Sequence, residues 1–161
     1  MYTIPNIALQ AAPLISDWIR ENISNPLLVG PDSESEQWVK SVAMRANAPH
    51  IVLEKIRRGD RNVEISIPDI EKWREKTPVL VDDIISTART MIETVNHLKK
   101  GGLTAPVCLG VHAVFAGNAY TDLLASGVAG VDTCDTIEHT SNAISVLPLL
   151  TEGVLRLQKK L

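Results

Sequence analysis

VLVDDIISTART, residues 79–90, joins a short apolar run to two adjacent acids and then to a hydroxyl-rich helix start. Val79, Leu80 and Val81 follow Pro78 as an unbroken apolar triplet, the pattern of a central strand covered on both faces. Asp82 and Asp83 come at its carboxyl end, where open α/β sheets gather their ligands. Ser86, Thr87 and Thr90 add hydroxyls beside the backbone N–H groups that a helix N-terminus leaves unpaired, a combination suited to phosphate. The two acids would repel phosphate. They suit ribose hydroxyls, as acceptors, or Mg²⁺ carried by a substrate phosphate. A strand ending in a capping Asp with a Ser/Thr-rich first turn is the plainer reading of the same residues.

Outward from this stretch, helical and strand periods alternate, which predicts an α/β fold. The expected architecture has three layers: a mainly parallel, twisted sheet with helices on both faces, plus a protruding β-hairpin. Leu14, Ile15, Trp18 and Ile19 share one face of a helix over 13–23, and 27–29 reads as a strand. Trp38, Val42, Ala43 and Ala46 mark a second helix, followed by a strand from His50. Residues 54–69, EKIRRGDRNVEISIPD, change character: charges surround Gly59, and Val63, Ile65 and Ile67 alternate strictly, as in a hairpin leaving the sheet. Met91, Ile92, Val95 and Leu98 mark a helix that Gly101 and Gly102 end. Strands are expected over 107–114, 130–133 and 143–147, a short helix over 119–124 and an amphipathic helix over 149–161. With no linker or repeat, residues 1–161 read as one domain.

Composition narrows the function. The chain has 161 residues, of which 45% are hydrophobic, enough for a real core. Its formal charge of −3 and lack of a basic run argue against nucleic acid as a partner. Aromatic residues make up 4%, too few for base-stacking platforms. Two isolated cysteines, Cys108 and Cys134, are too few for a metal cluster or disulfide framework, and Cys108, in an apolar run, suits a buried reduced thiol and hence a cytoplasmic protein. The N-terminus lacks a basic signal-like start, and no apolar run reaches the roughly 18 residues of a membrane span. Small-molecule chemistry remains.

Two further constellations stand near the first. The loop GPDSESEQW follows the first strand and should open on the same sheet edge as Asp82 and Asp83; Asp32 is its candidate metal ligand, with helix capping as the structural alternative. Lys55, Arg57, Arg58 and Arg61 form the densest basic cluster, on the predicted hairpin, among Glu54, Asp60 and Glu64. His112, in VHAVFAGNA, has no evident partner acid and reads as a hydrogen-bonded structural residue. Gly117 and Asn118 read as turn and helix cap.

The stretch 79–90 resembles the ribose-5-phosphate loop shared by type I phosphoribosyltransferases and phosphoribosyl-pyrophosphate synthetases. The family usually carries Gly at one or both of the positions held here by Ala88 and Arg89. Pro31–Asp32, Lys55-x-Arg57, His112-x-x-Phe115-x-Gly117-Asn118 and the Asp132–Thr136 stretch match the synthetases in order, so the chain resembles the C-terminal half of a two-domain ribose-phosphate diphosphokinase. The resemblance implies transfer of diphosphate from Mg-ATP to the 1-hydroxyl of ribose 5-phosphate. It would assign Asp82 and Asp83 to ribose, Ser86, Thr87, Ala88, Arg89 and Thr90 to the 5-phosphate, Asp32 to Mg²⁺, and Lys55 and Arg57 to catalysis. It also implies a homo-oligomer and an ATP-binding N-terminal domain as partner. A phosphoribosyltransferase, or a noncatalytic ribose-phosphate-binding subunit, are the alternatives.

Overall fold

The computed structural model describes residues 4–31, 33–58, 62–66 and 70–159, with the backbone alone for residues 34, 54–58 and 62–66. Six parallel strands form one sheet: β1 (Pro26–Gly30), β2 (His50–Val52), β5 (Thr77–Ile85), β6 (Val107–Ala113), β7 (Gly130–Cys134) and β8 (Asn142–Ile144), in the order β2-β1-β5-β6-β7-β8. Strands β3 (Glu54–Arg58) and β4 (Asn62–Ser66) pair antiparallel as a separate two-stranded sheet, the hairpin expected from the alternation after Glu54.

Strand alternation sorts the apolar residues into two cores. Leu28, Val79, Val81 and Leu109 face one side, against Ile15 and Ile19 of α1 (Ala12–Asn22) and Val39, Val42 and Ala43 of α2 (Glu36–Ala46). Leu27, Val29, Leu80 and Cys108 face the other, against Met91, Val95 and Leu98 of α3 (Arg89–Lys100) and Leu123 of α4 (Ala119–Ala125). Both faces are covered, which is why 78–81 form a continuous apolar run. A last helix, α5 (Leu147–Gln158), meets the N-terminal segment where Leu9 packs on Gly153.

Several boundaries differ from the sequence reading, three of them near the sheet edge and the last helix. β5 does not stop at Val81 but continues to Ile85, because its ladder to β6 runs on through Asp82↔Gly110, Ile84↔His112 and Ile85↔Ala113. The apolar run ends earlier because Asp83 and Ile84 lie exposed at the rim of the sheet. β8 ends at Ile144 and α5 begins at Leu147, two residues early, since Pro148 in its first turn presets the helical φ. Gly101 and Gly102 do end α3; Gly102, at φ 81°, takes the left-handed conformation that suits glycine.

Candidate sugar-phosphate site

The chain leaves β1 outward to β2 and returns to place β5 on the other side of β1, so the strand order reverses between β1 and β5. A crevice opens at the carboxyl ends of such a pair. Here it is a cleft of about 660 Å³. Pro31 and Ser35 reach it from the loop after β1, Asp82 and Asp83 from β5, and Thr90 from the first turn of α3. His112 and Thr136 continue the polar rim from β6 and from the turn after β7. Apolar lining comes from Leu9, Trp38, Val146, Leu149 and Leu150.

Close packing shapes both loops. A Cβ on Gly30 would sit 2.7 Å from Ser35 Oγ, so glycine lets the first loop fold back onto the strand end. After β5, Ser86 and Thr87 form a turn and Ala88 adopts a left-handed conformation, φ 55° and ψ 7°, before α3 begins at Arg89. This is one of the two positions where the resembling family usually has glycine, and the backbone geometry gives the reason. The turn is braced from the segment after β6: Phe115 N–H donates to Ile85 O (2.9 Å) and Ala116 N–H to Ser86 O (3.0 Å). Among the described residues no side chain caps α3, which leaves its first-turn N–H groups for an anion.

Electrostatics distinguish the first acid. Burial first, and then the adjacent Asp83 carboxyl, push the Asp82 carboxyl up to about 6, against the opposing effect of the backbone N–H groups of Asp83 and Ile84. Asp83 N–H donates to Asp82 Oδ1 at 2.9 Å. A carboxylate partly desolvated beside a second acid gains from hydroxyl donors or from a cation. Among the described residues no group of three or more His, Cys, Asp or Glu could hold a metal. Two carboxylates nevertheless match the way Mg²⁺ binds when it arrives on a substrate phosphate, keeping most of its shell from water and phosphate.

Of the residues singled out in the sequence, Asp82, Asp83 and Thr90 line the cleft, while Ser86, Thr87, Ala88 and Arg89 form the connection between β5 and α3. Asp32 lies outside the described residues. Lys55 and Arg57 lie on β3 opposite Ile65 and Val63, with their side chains outside the description. Asn118 stands at the N-cap of α4 but its side chain makes no capping bond. The sequence reading gave no chemistry to His112 and Thr136, which are 24 residues apart. In the fold they meet: His112 Nδ1 lies 2.8 Å from Thr136 Oγ1, and Thr136 Oγ1 donates to Val111 O at 2.8 Å. Trp38, read as core, also walls the cleft, and its buried Nε1 has no hydrogen-bond partner among the described residues.

A family model described as the phosphoribosyl transferase domain matches residues 1–151. The chain belongs to that family. Within it, the chain is 34% identical over 157 residues to the ribose-phosphate pyrophosphokinase of Methanosarcina acetivorans, covering 97% of this chain and 55% of that protein. It is 29% identical over 168 residues to that of Aquifex aeolicus, covering 98% and 53%. The chain thus spans about half the length of the curated relatives it matches. Its fold is shared with the phosphoribosylpyrophosphate synthetase of Mycobacterium smegmatis, at TM-score 0.76 and 22% identity over 93% of this chain and 51% of that one. Orotate phosphoribosyltransferase from Aeropyrum pernix follows the same fold at TM-score 0.57 and 17% identity, over 91% and 75%.

Proposed function

We propose that this chain is the ribose-phosphate-binding part of a ribose-phosphate pyrophosphokinase. The observation that carries the reading is the junction of β5 and α3: two acids at the strand order's reversal, followed within seven residues by an uncapped helix N-terminus. Curated relatives of that name over nearly the whole chain support it.

In this reading Asp82 and Asp83 accept hydrogen bonds from the ribose hydroxyls, and the N–H groups and hydroxyls of 86–90 hold the 5-phosphate. The ribose 1-hydroxyl oxygen bonds to the β-phosphorus of ATP as the bond from that phosphorus to the leaving AMP breaks, and the hydroxyl proton passes to solvent. Positioning and charge stabilisation dominate such transfers. Mg²⁺ would neutralise the diphosphate, held by Asp32 or by the two cleft acids. Lys55 and Arg57 supply positive charge to the reacting phosphate. ATP and a further ATP-binding domain belong to the same reading, as do a homo-oligomeric assembly and a cytoplasmic setting in which Cys108 and Cys134, both buried, stay reduced.

A second reading has one observation in its favour. The apolar wall of Leu9, Trp38, Leu149 and Leu150 would suit a nucleobase, as a phosphoribosyltransferase requires. Incubation with ribose 5-phosphate, Mg²⁺ and ATP separates the two: AMP formation supports the pyrophosphokinase. Pyrophosphate release from the activated sugar and a base supports the transferase. Binding of ribose 5-phosphate with neither reaction indicates a noncatalytic subunit.

A further inference from the structure

We infer that His112 is a ligand-positioning residue whose Nε2, held as a hydrogen-bond acceptor by Thr136, takes a hydroxyl of the bound sugar; this rests on the sugar-phosphate reading above. The Thr136 hydroxyl has one proton, and the 2.8 Å contact from Oγ1 to Val111 O uses it. At the 2.8 Å contact with His112 the same oxygen therefore accepts, so Nδ1 carries the ring's proton. A neutral imidazole protonated at Nδ1 has its lone pair on Nε2. Among the described residues Nε2 has no partner, and the ring lines the cleft with Asp82 and Asp83.

The backbone sets that ring beside the acids. β6 runs in register with β5, pairing Gly110 with Asp82 and His112 with Ile84, so His112 stands on the neighbouring strand one alternation beyond the first acid. Thr136 comes from the turn after β7, the next strand outward. Three adjacent strand ends thus combine in one rim: two carboxylates and an imidazole whose neutral form, protonated at Nδ1, accepts at Nε2. A phosphate offers no proton to such a set when fully ionised, whereas a polyhydroxyl sugar offers several. His112 therefore reads the sugar rather than its phosphate.

Nitrogen-15 NMR of the histidine-labelled full chain at pH 8 tests this directly. The expected spectrum shows His112 protonated at Nδ1 and bare at Nε2, with the Nε2 resonance shifting on addition of ribose 5-phosphate. His112→Asn keeps a donor near Thr136 and removes Nε2; it should weaken ribose 5-phosphate binding about 3- to 10-fold, the equivalent of one neutral hydrogen bond, and leave inorganic phosphate binding unchanged. Thr136→Val should release the ring to a mixture of tautomers. A proton on Nε2 in the free chain overturns the inference, as does equal loss of phosphate and sugar-phosphate binding in His112→Asn. An unmoved Nε2 resonance in a chain that does bind ribose 5-phosphate refutes the role of His112 alone. No binding of ribose 5-phosphate by the wild-type chain refutes both this role and the broader reading.

Discussion

Ile85 occupies the space that a side chain on Gly110 would need: a Cβ there would lie 2.6 Å from Ile85 Cδ1 and 2.7 Å from Cγ1. Ile85 is the last residue of β5, fully buried, and its carbonyl accepts the bond from Phe115 that braces the following turn. The missing side chain on β6 thus anchors the end of β5 from which the candidate phosphate turn departs.

Gly110→Ala should displace Ile85 and lower stability by about 1–3 kcal/mol, the usual effect of overpacking a tight core. Chemical denaturation would measure it. The accompanying expectation is weaker ribose 5-phosphate binding at a temperature where the variant is still folded; unchanged stability would contradict the packing account.

Ala88 tests the turn itself. Its φ of 55° favours glycine, but its methyl is buried in the core beside α3. Relief of the left-handed conformation by Ala88→Gly, roughly 1–2 kcal/mol, is offset by the lost methyl at about 0.8 kcal/mol and by the entropy of an unfolded glycine, so the net change should stay within about 1 kcal/mol. Ala88→Val places a branched side chain at the same φ and should destabilise by at least about 2 kcal/mol. Thermal unfolding of the two variants decides: a tolerated valine would contradict the left-handed assignment.

The acid pair makes a prediction about pH. Burial, and then Asp83, raise the Asp82 carboxyl to about 6 in the fold, above the ordinary 3.8. The folded chain therefore binds more protons than the unfolded one between those values, so Asp82 lowers stability progressively as pH rises from about 4 to about 6. Asp82→Asn should be more stable than wild type at pH 8, with the advantage vanishing near pH 4. Denaturation midpoints of both proteins across that range would show it, and a constant difference would argue against the raised carboxyl. Binding of ribose 5-phosphate should fall as Asp82 is protonated. The phosphate itself titrates near pH 6, so the useful quantity is the difference between wild type and Asp82→Asn.

The basic pair on the hairpin predicts a split between binding and turnover. Where AMP formation is observed, Lys55→Ala and Arg57→Ala should each lower it on the order of 10²-fold, as removal of a transition-state donor does. Ribose 5-phosphate affinity should change by less than about twofold. Parallel loss of both would refute the catalytic assignment.

The sequence displayed the sheet clearly because its strands are buried on both faces: Leu27 to Val29, Val79 to Val81 and Val107 to Leu109 could be read as apolar runs without any partner in view. Helix ends were legible where a backbone rule operates, as at Gly101 and Gly102. The ends of strands were not. Asp82 to Ile85 belong to β5 through hydrogen bonds to β6, which leave no mark in side-chain periodicity. The acids and hydroxyls of the candidate site were visible because they are contiguous. Long-range pairs were hidden: nothing in the order of residues joins His112 to Thr136 or brings Leu9 and Leu149 to the same cleft as Asp82.

The central claim is that the cleft at Asp82 and Asp83 binds the sugar of a sugar phosphate, and calorimetric titration with ribose 5-phosphate tests it most directly. One saturable site is expected in the wild-type chain, with at least tenfold weaker binding in Asp83→Asn. Inorganic phosphate, which lacks the hydroxyls those acids would hold, should bind the variant no more weakly than the wild type. Absence of wild-type binding, or the same ribose 5-phosphate affinity in the variant, would contradict the claim.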